Sequence, residues 1–211
     1  MTKARPILFS TDMVKGILED RKKQTRRIIK PNPLDLDDLC GKNPTFIGTS
    51  GDKAAVVCNE LQTVIKCKYG KPGDLLWVRE TFGKTNALEL KGAYYYKAST
   101  DEGWKLKWKP SIFMPKNACR LFLEIKDIRV ERLNCISEED AMAEGVDFRF
   151  FELFQENRFK DYLDEKDDYR TGYSSFQSLW EKINGLDSWK ANPWVWVLEF
   201  EKIEKPQGWP W

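Results

Sequence analysis

Residues 121–131, LFLEIKDIRVE, constrain the fold more than any other part of the chain. Their apolar side chains alternate at Leu121, Leu123 and Ile125 and resume at Ile128 and Val130, so the period-two pattern of a strand changes phase once near Asp127. Such a change turns every later side chain to the other face, and a strand absorbs it through a bulge or a sharp bend. Shorter strands are expected at 5–10 (RPILFS), 24–29 (QTRRII), 75–80 (LLWVRE), 94–98 and 193–203 (PWVWVLEFEKI). Helices are few: one from Asp12 with Thr11 as its N-cap, one begun by Ser137 and stopped by Gly145, and one at 174–184 stopped by Gly185. Many short strands without βαβ alternation favour an α+β chain built on a small mixed β-barrel with flanking short helices.

The 211 residues suit a single domain spanning 1–211. Two stretches read as insertions: about 32–68, irregular apart from AAVV and TVIK, and about 146–172, which is acidic. Lys30-Pro31-Asn32-Pro33 closes the strand before the first insertion, and Lys71-Pro72-Gly73-Asp74 is a turn that opens the strand after it. No run of about 18 apolar residues occurs, and the first residues lack the apolar stretch of a signal peptide, so a cytoplasmic protein with no membrane partner is expected.

Chemistry is narrowed by what is missing. The chain has no histidine, which excludes Ser-His-Asp, Cys-His and HExxH sites. Its five cysteines, Cys40, Cys58, Cys67, Cys119 and Cys135, form no CxxC pair, so they read as thiols, with no zinc ribbon, metal site or cofactor expected. Net charge is only +2, but it is unevenly placed: residues 1–31 carry nine basic and three acidic side chains, while 148–168 carry four basic and seven acidic ones. An anion is therefore drawn to the N-terminal part.

Four segments together resemble the ASCH family of the PUA-like superfamily, in its longer phage- and prophage-associated branch. They are RPILFSTDMVKGILEDRKKQTRRIIKP at 5–31, YGKPGDLLWVRETF at 69–82, LEIKDIRVERLNCISEEDAMAEG at 123–145 and NPWVWVLEF at 192–200. The family signature after the first helix, G-x-K-x-x-T-x-R, is met by Lys22, Thr25 and Arg27, with Asp20 in place of the glycine. Aspartate enters the left-handed region more readily than most residues, so the turn is expected to survive.

The resemblance implies a basic cleft that binds a nucleic acid, RNA foremost, or a modified nucleotide. Arg5, Lys22, Arg26, Arg27 and Arg79 are its expected cations, and strand alternation sends Arg26 and Arg27 to opposite faces. Trp77 and Trp194, with Trp196, are the expected stacking or packing aromatics. Trp108 and Phe113, in WKPSIFMP, lie on a loop expected to cover the cleft or cap the barrel.

The same resemblance offers an enzyme alternative, a metal-independent amidohydrolase that deacylates an acetylcytidine-like nucleoside with Lys22, Thr25 and Glu124. A lysine base must first be desolvated or crowded by other cations to lose its proton near neutrality. A third reading is a phage accessory scaffold that meets an unidentified protein through its acidic 148–168 stretch. Whether the chain is an enzyme stays open on these residues.

Overall fold

The computed structural model describes residues 3–30, 45–50, 53–58, 63–85, 92–100, 107–153, 155–164 and 166–209. The Pro31 to Pro33 stop, Cys40 and much of the first expected insertion lie outside the described residues.

The central sheet is five-stranded and mixed. β1 (Ala4–Leu8) lies parallel to β6 (Leu75–Arg79), and β6 pairs antiparallel with β9 (Phe122–Arg132). β9 pairs with β13 (Trp194–Ile203), and β13 with β2 (Gln24–Ile28), again antiparallel. The phase change in β9 is a bulge: Asp127 faces Glu199 but Ile125 faces Phe200, so Lys126 is the extra residue. The bulge lets Leu123 and Ile125 on one side of it, and Ile128 on the other, enter the same core.

β1 and β2 are the two edges of this sheet, and no closed barrel forms among the described residues. The expected closure therefore corrects to an open α+β sheet. β1 leads into helix α1 (Thr11–Leu18), which packs Val14 and Ile17 into the core before β2 begins, and β1 and β2 share no ladder hydrogen bonds. Ser10, rather than Thr11, caps α1, its Oγ accepting the Met13 N–H at 3.3 Å while Thr11 already occupies the first helical position. Asp20 follows with φ +57°, the left-handed conformation expected of it at this turn.

The face opposite α1 is covered by α2 (Glu138–Ala143) and α3 (Gly172–Asn184). Phe176, Leu179 and Trp180 of α3 pack there with Val195 and Val197. Three smaller sheets surround this centre. β3 (Thr45–Ser50), β4 (Lys53–Cys58) and β5 (Thr63–Lys66) form an antiparallel triplet, so the first expected insertion holds one strand more than its AAVV and TVIK pieces signalled. β7 (Phe82–Lys84) pairs with β8 (Tyr94–Tyr96). β10 (Phe148–Phe151), β11 (Glu156–Asp161) and β12 (Lys166–Tyr169) occupy the second expected insertion. Among the described residues no helix is long and apolar enough to cross a membrane.

Candidate functional site

The site grows from the alternation of β2. Thr25 faces Leu198 and Arg27 faces Trp196, both on the α1 side of the sheet, whereas Arg26 faces Val197 on the α3 side. Two neighbouring arginines thus enter different surroundings.

On the α3 side Arg26 is wholly enclosed and meets three carboxylates. Its Nε and Nη2 donate to Glu131 Oε1 at 2.9 and 2.5 Å, Nη2 also donates to Asp140 Oδ2 at 2.6 Å, and Nη1 donates to Glu144 Oε1 at 3.1 Å. Arg129 joins the same network through Asp140, Glu131 and Glu199. Lys22, 2% exposed, donates from Nζ to Glu144 Oε2 at 2.8 Å and to the Glu144 carbonyl at 2.7 Å. Glu144 therefore holds Lys22 and Arg26 on its two oxygens.

Local backbone sets this pairing. Gly145 follows α2 at φ +82°, and a Cβ there would come within 2.6 Å of the Lys22 Cβ, so only glycine lets the end of α2 lie against Lys22. Lys23 N–H donates to the Ala143 carbonyl at 2.8 Å and fixes the register. Burial pulls the Lys22 amine below its ordinary pKa against the opposing pull of Glu144. For Asp140, burial works upward, but hydrogen bonding to Arg26 and the charges of Arg26 and Arg129 outweigh it and hold the carboxyl below the usual range.

Along the free edge of β2 the structure opens into a cavity of about 320 Å³. Its lining takes consecutive residues from Thr25 to Ile28, which requires it to wrap round the edge strand and draw on both faces of the sheet. Arg27, Lys30, Lys66 and Lys68 supply positive charge, and Glu144 is the one carboxylate among the described lining residues. Trp196, Tyr69, Phe176 and Trp180 give it flat apolar walls. Two buried donors in this lining have no acceptor among the described residues: Trp180 Nε1 and Arg27 Nε. Buried N–H groups are rarely left so, because an unmade hydrogen bond there costs about 1–3 kcal/mol.

A second cavity, of about 490 Å³, continues from the first between the two sheet edges. It is lined by Arg5, Pro6 and Leu8 of β1, with Arg27, Lys68 and Tyr69 common to both cavities. Arg27 Nη2 donates to the Leu8 carbonyl at 2.8 Å and so spans the two edges. Arg5 is held by Asp74 at 2.6 Å. The result is a basic seam where a closed sheet would have had its last pair of strands.

The expected residues divide accordingly. Arg5 and Arg27 line the seam, and Thr25 lines the first cavity with Glu144. Arg26 also lines that cavity and Lys22 lies behind it, but both are committed to carboxylates. Glu124 does not join Lys22: it faces Glu201 across the strands, and its Oε2 accepts from Lys126 Nζ at 2.8 Å. Glu144 stands where Glu124 was expected.

Arg79 lies 5.5 Å over the Trp77 ring and donates to the Ile112 carbonyl, away from the cavity lining. Trp77 packs near Trp209, and Trp194 is buried under Arg132, so neither offers a free face. Trp196 is the tryptophan of that strand which reaches the cavity. Sequence reasoning missed Lys30, Lys66, Lys68, Trp180 and Glu144. The Lys-Tyr pair before the 69–82 segment was the available signal for Lys68; Glu144 carried only that of a helix end.

Comparison of the chain with family models, with curated proteins and with solved structures gives no match.

Proposed function

We propose that this chain binds a nucleic acid, single-stranded RNA foremost, or a modified nucleotide, in the basic seam between β1 and β2. One observation carries the reading: a cavity of about 320 Å³ lined by Arg27, Lys30, Lys66 and Lys68 beside the carboxylate-paired Arg26, with aromatic walls and two buried N–H donors that have no partner among the described residues. Its volume falls in the range of small-ligand clefts, and aromatic walls with basic rims suit bases and phosphates. Arg27 bridging the sheet edges supports reading the fold as an opened PUA-like barrel of the ASCH kind. Fluorescence titration with single-stranded RNA, single-stranded DNA, duplex DNA and mononucleotides tests it. Binding should weaken steeply with salt; absence of binding to every one of them would leave the scaffold reading.

A hydrolase is the second reading, favoured by Lys22, whose amine burial holds low and whose partner Glu144 lines the same cavity as Thr25. In it Lys22 takes the Thr25 hydroxyl proton, the oxygen bonds the acyl carbon, and the nucleoside amine leaves carrying that proton. Water then releases the acid from Thr25. Turnover of an acylated cytidine lost in both Lys22→Arg and Thr25→Val would establish it, because a guanidinium keeps its proton. Equal turnover in all three proteins would remove these residues from the chemistry.

A further inference from the structure

The segment 107–120 holds Lys107, Lys109 and Lys116, with Arg120 paired to Glu80, and no acidic residue of its own. At its tip Ile112 and Phe113 are 58% and 69% exposed, although the next residue, Met114, is buried in the core around Phe122. The tip is braced from several sides. Lys109 and Phe82 exchange backbone hydrogen bonds at 2.7 and 3.2 Å, and Phe113 N–H donates to the Pro110 carbonyl at 3.0 Å. Pro110 and Pro115 fix the approaches to two short 3-10 turns, and Met114 Sδ accepts the Glu80 N–H at 3.2 Å. Two apolar side chains are thus held out in water by a rigid support when neighbouring residues of the same segment are packed.

The position of the tip gives this meaning. β1 and β6 run parallel and end together, with Leu8 opposite Arg79. The Leu8 carbonyl accepts from Arg27 of the seam, while Arg79 donates to the Ile112 carbonyl. The apolar tip therefore stands at the same end of the sheet as the basic seam, one strand pair away.

We propose that Ile112 and Phe113 form a stacking tip that receives an unpaired base of a single strand whose phosphates lie along Arg27 and Lys68. The proposal rests on the reading of the seam as a nucleic-acid surface. Lysines flanking an apolar tip without any acid select a polyanion, and bases of a single strand offer π-faces irrespective of sequence. A duplex hides those faces, so single strands are preferred.

The test is anisotropy titration of labelled single-stranded RNA and DNA of about 12 nucleotides, within the usual site size. The Ile112→Ser/Phe113→Ser double variant should bind roughly five- to 150-fold more weakly, as one stacked base is worth about 1–3 kcal/mol. Its log–log salt slope should equal the wild type's, because no charge is removed. Phe113→Trp should bind at least as tightly as wild type, which a merely misfolded tip would not do. Wild-type binding matched by the double variant overturns the stacking tip and leaves the seam standing. No wild-type binding to either strand overturns the seam reading itself. If the double variant instead fails to sediment with phosphatidylserine vesicles that carry down the wild type, at unchanged RNA affinity, the tip is a membrane contact and the proposal is overturned.

Discussion

Arg26 and Arg27 are adjacent and chemically identical, yet they belong to opposite kinds of site. Arg26 is enclosed among Glu131, Asp140 and Glu144, where each charge answers another. Arg27 spans the open seam with one nitrogen on the Leu8 carbonyl and another, Nε, unpartnered among the described residues. The same sequence signal therefore produces a structural network on one face of β2 and a basic seam at its edge. Sequence charge density does not distinguish the two; strand alternation and the carboxylates brought by α2 do.

The comparison breaks most visibly if the network is not structural. Glu144→Ala leaves Lys22 and Arg26 buried without their shared carboxylate, and removing one partner of a buried pair typically costs about 3–5 kcal/mol. In a domain of this size that is a fall of roughly 10 °C in Tm, read by calorimetry or circular dichroism. Gly145→Ala should cost about 1–3 kcal/mol through its positive φ alone, and more because the added Cβ displaces Lys22.

Acid sharpens the same side of the comparison. Because the native Asp140 carboxyl lies below its unfolded value, its contribution is complete above about pH 3.9 and is lost as pH falls through the native pKa. Urea midpoints of wild type and Asp140→Asn should differ at neutral pH and converge in that acid window. A difference that persists below it would assign the effect to shape instead of charge.

The smallest effect belongs to the seam. Trp180→Phe removes a buried N–H that has no partner among the described residues, so Tm should stay within a degree or two of wild type while ligand affinity drops about fivefold, the value of one hydrogen bond near 1 kcal/mol. Equal affinity would show that the indole donor does not meet the ligand.

Much of the scaffold was legible because it follows from local chemistry. The phase change in β9 became the bulge at Lys126, Asp20 took the left-handed turn, Ser137 capped its helix with its hydroxyl, and Gly185 ended its helix at a positive φ that a residue without Cβ adopts freely. The capping Ser10 lay one residue before Thr11, since both hydroxyls suit the role and only backbone geometry decides. The strands of 148–161 were hidden because neither alternates: FRFF is aromatic yet exposed throughout, and ENRFKD is mostly polar and charged.

The site was less legible, for reasons of distance. Lys22, Thr25 and Arg27 sit within one turn-and-strand unit and were found together. The carboxylate that meets Lys22 comes from Glu144, 122 residues away, and an acidic residue at a helix end has no local mark distinguishing it from Glu124. Sheet closure is likewise a long-range property, decided by which strands end at the edges.

The salt dependence of single-stranded RNA binding decides whether Arg27 and the seam meet phosphate while Arg26 and its network do not. Wild type and the Arg27→Gln/Lys68→Gln double variant would be titrated across a range of salt. Every single-strand phosphate that is no longer neutralised lowers the log–log slope by about 0.7, so the double variant should fall by about 1.4 with Tm nearly unchanged. An unchanged slope and affinity in that variant would contradict the account.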